Sequence, residues 1–144
     1  MLARRELSEA RLRERLARRG HQPDLIDEAV SRLREERALD DARVAEAIAR
    51  TEMSVRRRGK LRVRLQMERA GIDSETARRV ADEAFTGLDA GGGDSLIEAS
   101  LARRLPIGRM IENDREFQRL YRYLIGQGFE ADPIFRLLNS RRRR

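Results

Sequence analysis

RRGKLRVRLQMERAGI, residues 57–72, has two readings, and the choice between them decides the fold. From Leu61 to Glu68 apolar and polar residues alternate, which is the pattern of a half-buried strand. The same stretch sets Val63 and Met67 four apart on one face of a helix, with Gly71 where a helix closes in a left-handed turn. Two further glycines favour the helix. Gly20 is preceded by Leu12 and Leu16, and Gly128 by Leu120 and Leu124, at the same distances of eight and four residues. The rest of the chain offers no partner strand, and a lone strand cannot satisfy its ladder. Residues 61–68 are therefore expected to be helical.

The register continues past each glycine. His21, Ile72 and Phe129 come next, at the position that packs back on the last helical turn, so the three are expected to share one seat in the core. Ile26 and Val30, Ala77 and Ala81, and Ile134 and Leu138 follow six and ten residues beyond the glycines, on the face of a second helix. Its starts carry Pro23 with Asp24, Asp73 with Ser74 and Glu75, and Asp132 as N-cap with Pro133 as the first helical residue. A further helix precedes each pair. Residues 40–57 open on Asp40 and Asp41 and carry Val44, Ala47, Ile48 and Val55; residues 94–104 carry Leu96, Ile97 and Leu101, a stripe continued by Leu105. In the first unit only LARR at 2–5, matching LARR at 101–104, remains of that helix.

The expected fold is all-α: three tandem three-helix repeats, the first truncated, eight or nine helices in an elongated array. The boundaries read as residues 1–38 for the first repeat and 39–87 for the second. A Gly-rich linker at 88–93, the third repeat at 94–140 and a disordered basic tail at 141–144 complete the chain.

Composition narrows function. The chain has 144 residues, 40% charged and 4% aromatic, with no Cys and one His. Thiol chemistry, disulfides and zinc sites of the usual Cys/His type are excluded. Phosphate-loop, nucleophile-elbow, zincin and dinucleotide-binding motifs are absent, and the Gly91–Gly93 run lacks the lysine of a phosphate loop. The expectation is a non-enzymatic protein without cofactor or metal. No apolar run reaches the length of a membrane span and MLARREL lacks the apolar region of a signal peptide, so a cytoplasmic protein is expected. Asp40 and Asp41 read as helix-start residues and His21 as structural. Five of the six aromatics (Phe117, Tyr121, Tyr123, Phe129, Phe135) fall in the third repeat, where helical spacing favours core packing over base stacking.

The net charge is +7, and of the 32 basic residues only Lys60 is not arginine. Between residues 50 and 69, Arg50, Arg56, Arg57, Arg58, Lys60, Arg62, Arg64 and Arg69 stand against only Glu52 and Glu68. Elsewhere acids interleave with the arginines at three or four residues. A solvated helix face is the plain alternative; an electropositive surface for phosphates or for an acidic protein is the reading preferred here.

LDDARVAEAIAR (39–50) followed by RRGKLRVRLQMERAGI (57–72) resembles the signature of the RecX family, bacterial regulators of the RecA recombinase. LARREL (2–7), RLRERLARRGH (11–21) and RLYRYLIGQGF (119–129) are similar to the family's corresponding segments. Val44 stands where the family usually has an aromatic, His21 where it prefers Tyr or Phe, and Met67 where Leu is usual. The resemblance implies a curved, all-helical protein that lies in the groove of the RecA filament on single-stranded DNA and lowers its ATPase, strand-exchange and co-protease activities. Within that scheme Arg50, Arg57, Arg58, Lys60, Arg62 and Arg64 belong to the partner or nucleic-acid interface. Gly20, Gly59, Gly71 and Gly128 are structural, Asp40 and Asp41 cap, and Arg43 is salt-bridged. A monomer is expected. The alternatives are a nucleic-acid-binding repeat protein without a recombinase partner, or an adaptor for another acidic protein. On the interface reading, changing Arg58, Lys60 and Arg64 together to Glu is expected to abolish inhibition and barely move stability.

Overall fold

The structure is a computed structural model that describes residues 7–36, 39–86, 88 and 92–143. Among these, eight helices and no strand occur: α1 (Glu9–Arg18), α2 (Pro23–Glu35), α3 (Asp41–Ser54), α4 (Lys60–Arg69), α5 (Ser74–Thr86), α6 (Gly92–Ala102), α7 (Asp114–Gly126) and α8 (Ala131–Ser140). The alternating stretch is helical, as α4. The LARR remnant at 2–5 and most of the 88–93 linker lie outside the described residues; α6 itself begins at Gly92, two residues earlier than expected.

The three glycines terminate α1, α4 and α7 in one way. Gly20, Gly71 and Gly128 have φ of 87°, 93° and 98°. The following amides of His21, Ile72 and Phe129 donate to the carbonyls of Leu16, Met67 and Leu124, at 3.1–3.2 Å. This is the Schellman closure, repeated three times. N-terminal signals differ more. Asp40 caps α3, its carboxylate accepting from Ala42 and Arg43 amides at 3.0 and 3.3 Å. Asp73 accepts from the Thr76 amide. α8 starts at Ala131 with Glu130 as N-cap, so Asp132 and Pro133 sit inside its first turn, where the proline's missing N–H has no intrahelical partner to lose.

Burial is divided among three cores. Leu12, Ile26, Val30 and Leu39 make the first, with Leu16 and Leu33 partly buried against it. The second joins Val44, Ala45 and Ala49 of α3 to Val63, Met67, Ile72, Ala77, Val80 and Ala81. The third holds Leu96, Ile97, Leu101, Leu105 and Ile111 with Phe117, Leu120, Leu124, Phe129, Ile134 and Leu138. Met53 and Phe85 pack against both the second and the third. The surface area of 9883 Å² exceeds the roughly 7,600 Å² of a compact monomer of this mass, in keeping with cores set in series.

Two expectations about the core are corrected. Ile72 and Phe129 are buried in the seat behind their glycines, but His21 is exposed, because among the described residues no neighbouring element covers the end of α1. Val55 is 63% exposed and α3 instead buries Ala45, Ala49 and Glu52; small side chains let α3 approach α4 and α5 closely, a signal that counting large apolar residues overlooks.

The repeats are joined end to end by their second helices. At the junction of α4 with α1, the buried Ser8 hydroxyl donates to the Ala70 carbonyl at 2.6 Å, and the Arg11 guanidinium donates to the Arg69 carbonyl at 2.6 Å. At the junction of α7 with α4, the Gly59 amide donates to Gln127 at 2.7 Å and the Leu61 amide to Gly128 at 3.2 Å. Ser8 and Gly59 stand twelve residues before Gly20 and Gly71, and Arg11 and Arg62 nine before. Each joint therefore sets the C-terminal carbonyls of one helix on the N-terminal donors of another, opposite ends of two helix dipoles. A Cβ on Gly59 would lie 2.5 Å from the Gly128 oxygen, and one on Gly128 would lie 2.3 Å from the Arg62 nitrogen, so the approach requires glycine on both sides.

Residues 141–143 are held. The Ile111 amide donates to the Arg141 carbonyl and the Arg143 amide to the Ile111 carbonyl, and the Arg141 guanidinium donates to the Pro106 and Arg109 carbonyls. Arg142 pairs with Asp114 and lies over the Phe117 ring, 4.8 Å from its centroid. Residues 141–143 are thus not the free basic tail expected; arginine's fork satisfies carbonyls of the turn after α6.

Candidate partner interface

The basic segment spans the end of α3, a five-residue connection and α4. In the connection Arg57 takes a left-handed conformation, φ 55°, which costs a non-glycine residue roughly 1–2 kcal/mol. That bend sends consecutive arginines to different places. Arg57 is exposed, as are Arg50 and Arg56. Arg58 turns inward: its Nη1 lies 2.8 Å from Glu52 Oε2, with side chains only 16% and 10% exposed, and its amide donates to the Glu52 carbonyl. Glu52 also faces Arg56 Nε at 3.9 Å. Arg58 faces the framework, and reversing it would leave Glu52, largely buried, with only the more distant Arg56, which speaks against the expectation that stability barely moves.

The other predicted residues divide similarly. Lys60 pairs with Asp82 of α5 at 3.1 Å and Arg64 with Glu68 at 3.4 Å; these half-exposed pairs are worth little and leave both cations available. Arg62 is half-buried at the α7 joint, and its Nε is buried without a hydrogen-bond partner among the described residues. Arg50 and Arg57 make no ion pair among the described residues. Arg50 borders a groove of about 570 Å³ between α3 and α5, lined also by Ala49, Met53, Val80 and Ala84.

Sequence reasoning missed Arg103. Just past α6, its Nη2 donates to the Val55 carbonyl at 2.6 Å and Nη1 to that of Arg56 at 3.4 Å. A guanidinium from the third repeat therefore closes the C-terminal end of α3 beside Arg56 and Arg57. Nothing in local spacing signals this, because the partners are 47 and 48 residues apart. Arg104 next to it lies over the Tyr123 ring at 4.6 Å.

Asp40 and Asp41 act at helix starts. Asp41 accepts the Glu9 amide at 2.9 Å, linking α3 to the beginning of α1. Its own burial, together with Asp73 and Asp40 nearby, raises its carboxyl above the ordinary 3.8 despite the opposing influence of Arg34. The described residues contain no cluster of three potential metal ligands and no helix long and apolar enough to cross a membrane.

Comparison with known proteins extends over the whole arrangement. A model described as the first three-helix domain of RecX matches residues 1–33, and one for the second three-helix domain matches 40–80. The chain is 33% identical over 135 residues to a Regulatory protein RecX of Halorhodospira halophila, covering 93% of this chain and 79% of the relative. It is 35% identical to that of Chromohalobacter salexigens, covering 93% and 83%. Among solved structures, RecX from Lactobacillus salivarius superimposes with a TM-score of 0.76 at 22% identity over 96% of this chain and 88% of that one, a likeness of fold.

Proposed function

The chain belongs to the RecX family of regulatory proteins, and from that premise we propose that it binds the RecA recombinase filament on single-stranded DNA and lowers its ATPase, strand-exchange and co-protease activities. The observation that carries this reading is the concentration of cations in the second repeat. Arg56 and Arg57 are exposed in the connection, Arg50 is exposed beside the α3–α5 groove, Lys60 and Arg64 are half-exposed on α4, and Arg103 from beyond α6 closes the end of α3. Cations fixed along an extended helical array suit a long anionic partner better than a small ligand.

The chain acts by binding, without catalysis, in the cytoplasm and as a monomer. Its division at residues 38, 87 and 93 belongs to the same proposal. Binding of fluorescently labelled chain to RecA–DNA filaments, compared with the same single-stranded DNA alone, tests the reading. The filament is expected to bind more tightly; equal affinity for naked DNA would reduce the protein to a nucleic-acid binder. Arg56, Arg57 and Arg103 side by side favour some direct phosphate contact. Each phosphate so neutralised contributes about −0.7 to the log–log slope of affinity against salt.

A further inference from the structure

The outward ridge of α4 carries two leucines that the fold does not use. Val63 and Met67 face the second core and are fully buried. At 100° per residue, Leu61, Leu65 and Glu68 occupy the opposite side. Leu61 is 52% exposed and Leu65 37%. The three repeats supply an internal comparison, because α1 and α7 carry Ala10 and Glu14, and Gln118 and Arg122, at these two positions. Small or polar residues therefore serve the architecture equally well, and the second repeat alone places leucine there. Ile125, 42% exposed, stands three residues before Gly128, whose carbonyl accepts the Leu61 amide.

Guanidiniums flank this ridge: Arg64 on one side, Arg69 on the other, and Arg62 close to the joint. We infer that Leu61 and Leu65 form the apolar centre, and Arg64 and Arg69 the rim, of a docking surface for an acidic protein face with an apolar recess. The inference rests on the regulator reading and identifies the protein of the filament, instead of its nucleic acid, as what α4 touches. A phosphate backbone is recognised by charge and offers leucine nothing to bury against, and leucine lacks the flat face on which bases stack. An apolar centre inside a polar rim is the anatomy of a protein–protein contact. A second copy of the chain is a poor occupant, because a two-fold contact would set the same arginines against one another.

The test is the double variant Leu61→Ala/Leu65→Ala, which keeps strong helix formers at two exposed sites and should fold as the wild type does. Three measurements are made on both proteins: inhibition of RecA ATPase on single-stranded DNA, affinity for the DNA alone, and sedimentation. The expected result is that the variant needs on the order of tenfold more protein for equal inhibition, a loss of about 1.4 kcal/mol, while its DNA affinity is unchanged. A folded variant that inhibits as well as the wild type overturns the surface assignment alone. Parallel loss of DNA affinity overturns it in favour of the nucleic acid, and a wild-type dimer that the variant dissolves overturns it in favour of self-association. A wild-type chain that leaves the ATPase unchanged overturns the regulator reading, and this surface falls with it.

Discussion

Replacing Arg58 by Glu should destabilise the protein far more than the same reversal at its exposed neighbour Arg57. The wild-type guanidinium lies 2.8 Å from Glu52 inside a site where the side chains are 16% and 10% exposed. Arg58→Glu removes the nearer counter-ion and adds a second carboxylate, so Glu52 keeps only Arg56 at 3.9 Å in a largely buried site. Breaking a buried pair from one side costs about 3–5 kcal/mol. Against a total stability of roughly 5–15 kcal/mol for a domain, that is a large share. At roughly 2–4 °C per kcal/mol for this chain length, the melting temperature followed by circular dichroism should fall by about 6–20 °C. Arg57→Glu, at the exposed neighbouring position, should stay within about 0.5 kcal/mol. The double change Glu52→Leu/Arg58→Met removes both charges and should recover most of the loss. An Arg58→Glu protein melting within about 2 °C of wild type would refute the reasoning, since the pair would then be solvated.

Gly128→Ala and Gly20→Ala both place alanine at a positive φ, but a Cβ on Gly128 meets Arg62 backbone at 2.3 Å whereas one on Gly20 meets nothing within 4 Å. Urea denaturation should show a loss of about 1 kcal/mol for Gly20→Ala, and at least about 2 kcal/mol more for Gly128→Ala. Equal losses would remove the close approach from the account of the joint. Because Asp41's carboxyl is raised by burial and by Asp73 and Asp40, its charged form is disfavoured in the fold; the penalty is absent below the unfolded value near 3.8 and complete above the raised one. Asp41→Asn should therefore stabilise at pH 7, with a gain that shrinks as the pH falls toward 3.8, measured by urea midpoints across that range; a gain independent of pH would contradict the cause. Amide exchange should be faster in α1 and α2 than in α4 or α7, because among the described residues the first core holds four buried side chains where the second holds nine and the third eleven. Slower exchange in α1 than in α7 would contradict this ordering.

The helical closures were legible because glycine and the apolar residues four and eight before it are local signals, and so Gly20, Gly71 and Gly128 align three helix pairs. The strand-like alternation of Leu61–Glu68 became unambiguous only through that alignment. What remained hidden depends on the third dimension. His21 occupies a core position by register yet is exposed, and register says nothing of what covers a position. The fate of Arg58 is set by the left-handed turn at Arg57 and by Glu52 six residues earlier, across a connection with no periodicity. Gly59 reads as a helix start, while its contact with Gly128 lies 69 residues away and leaves no trace in either segment. Charge density marked the basic region as a region, yet could not separate exposed Arg50 and Arg57 from Arg58 and Arg62, which are turned toward the framework, nor bring in Arg103.

The measurement that bears most directly on the central proposal is the rate of ATP hydrolysis by RecA on single-stranded DNA, titrated with wild-type chain and with Arg50→Glu/Arg57→Glu/Arg64→Glu. This variant leaves the Arg58–Glu52 pair and the Arg62 joint intact, so it should melt close to wild type. The wild type should suppress hydrolysis, and the variant should require on the order of tenfold more protein or fail altogether. Hydrolysis unchanged by saturating wild-type chain would contradict the proposal, and a normally folded variant inhibiting at the wild-type concentration would show that the cationic surface is not the one the filament meets.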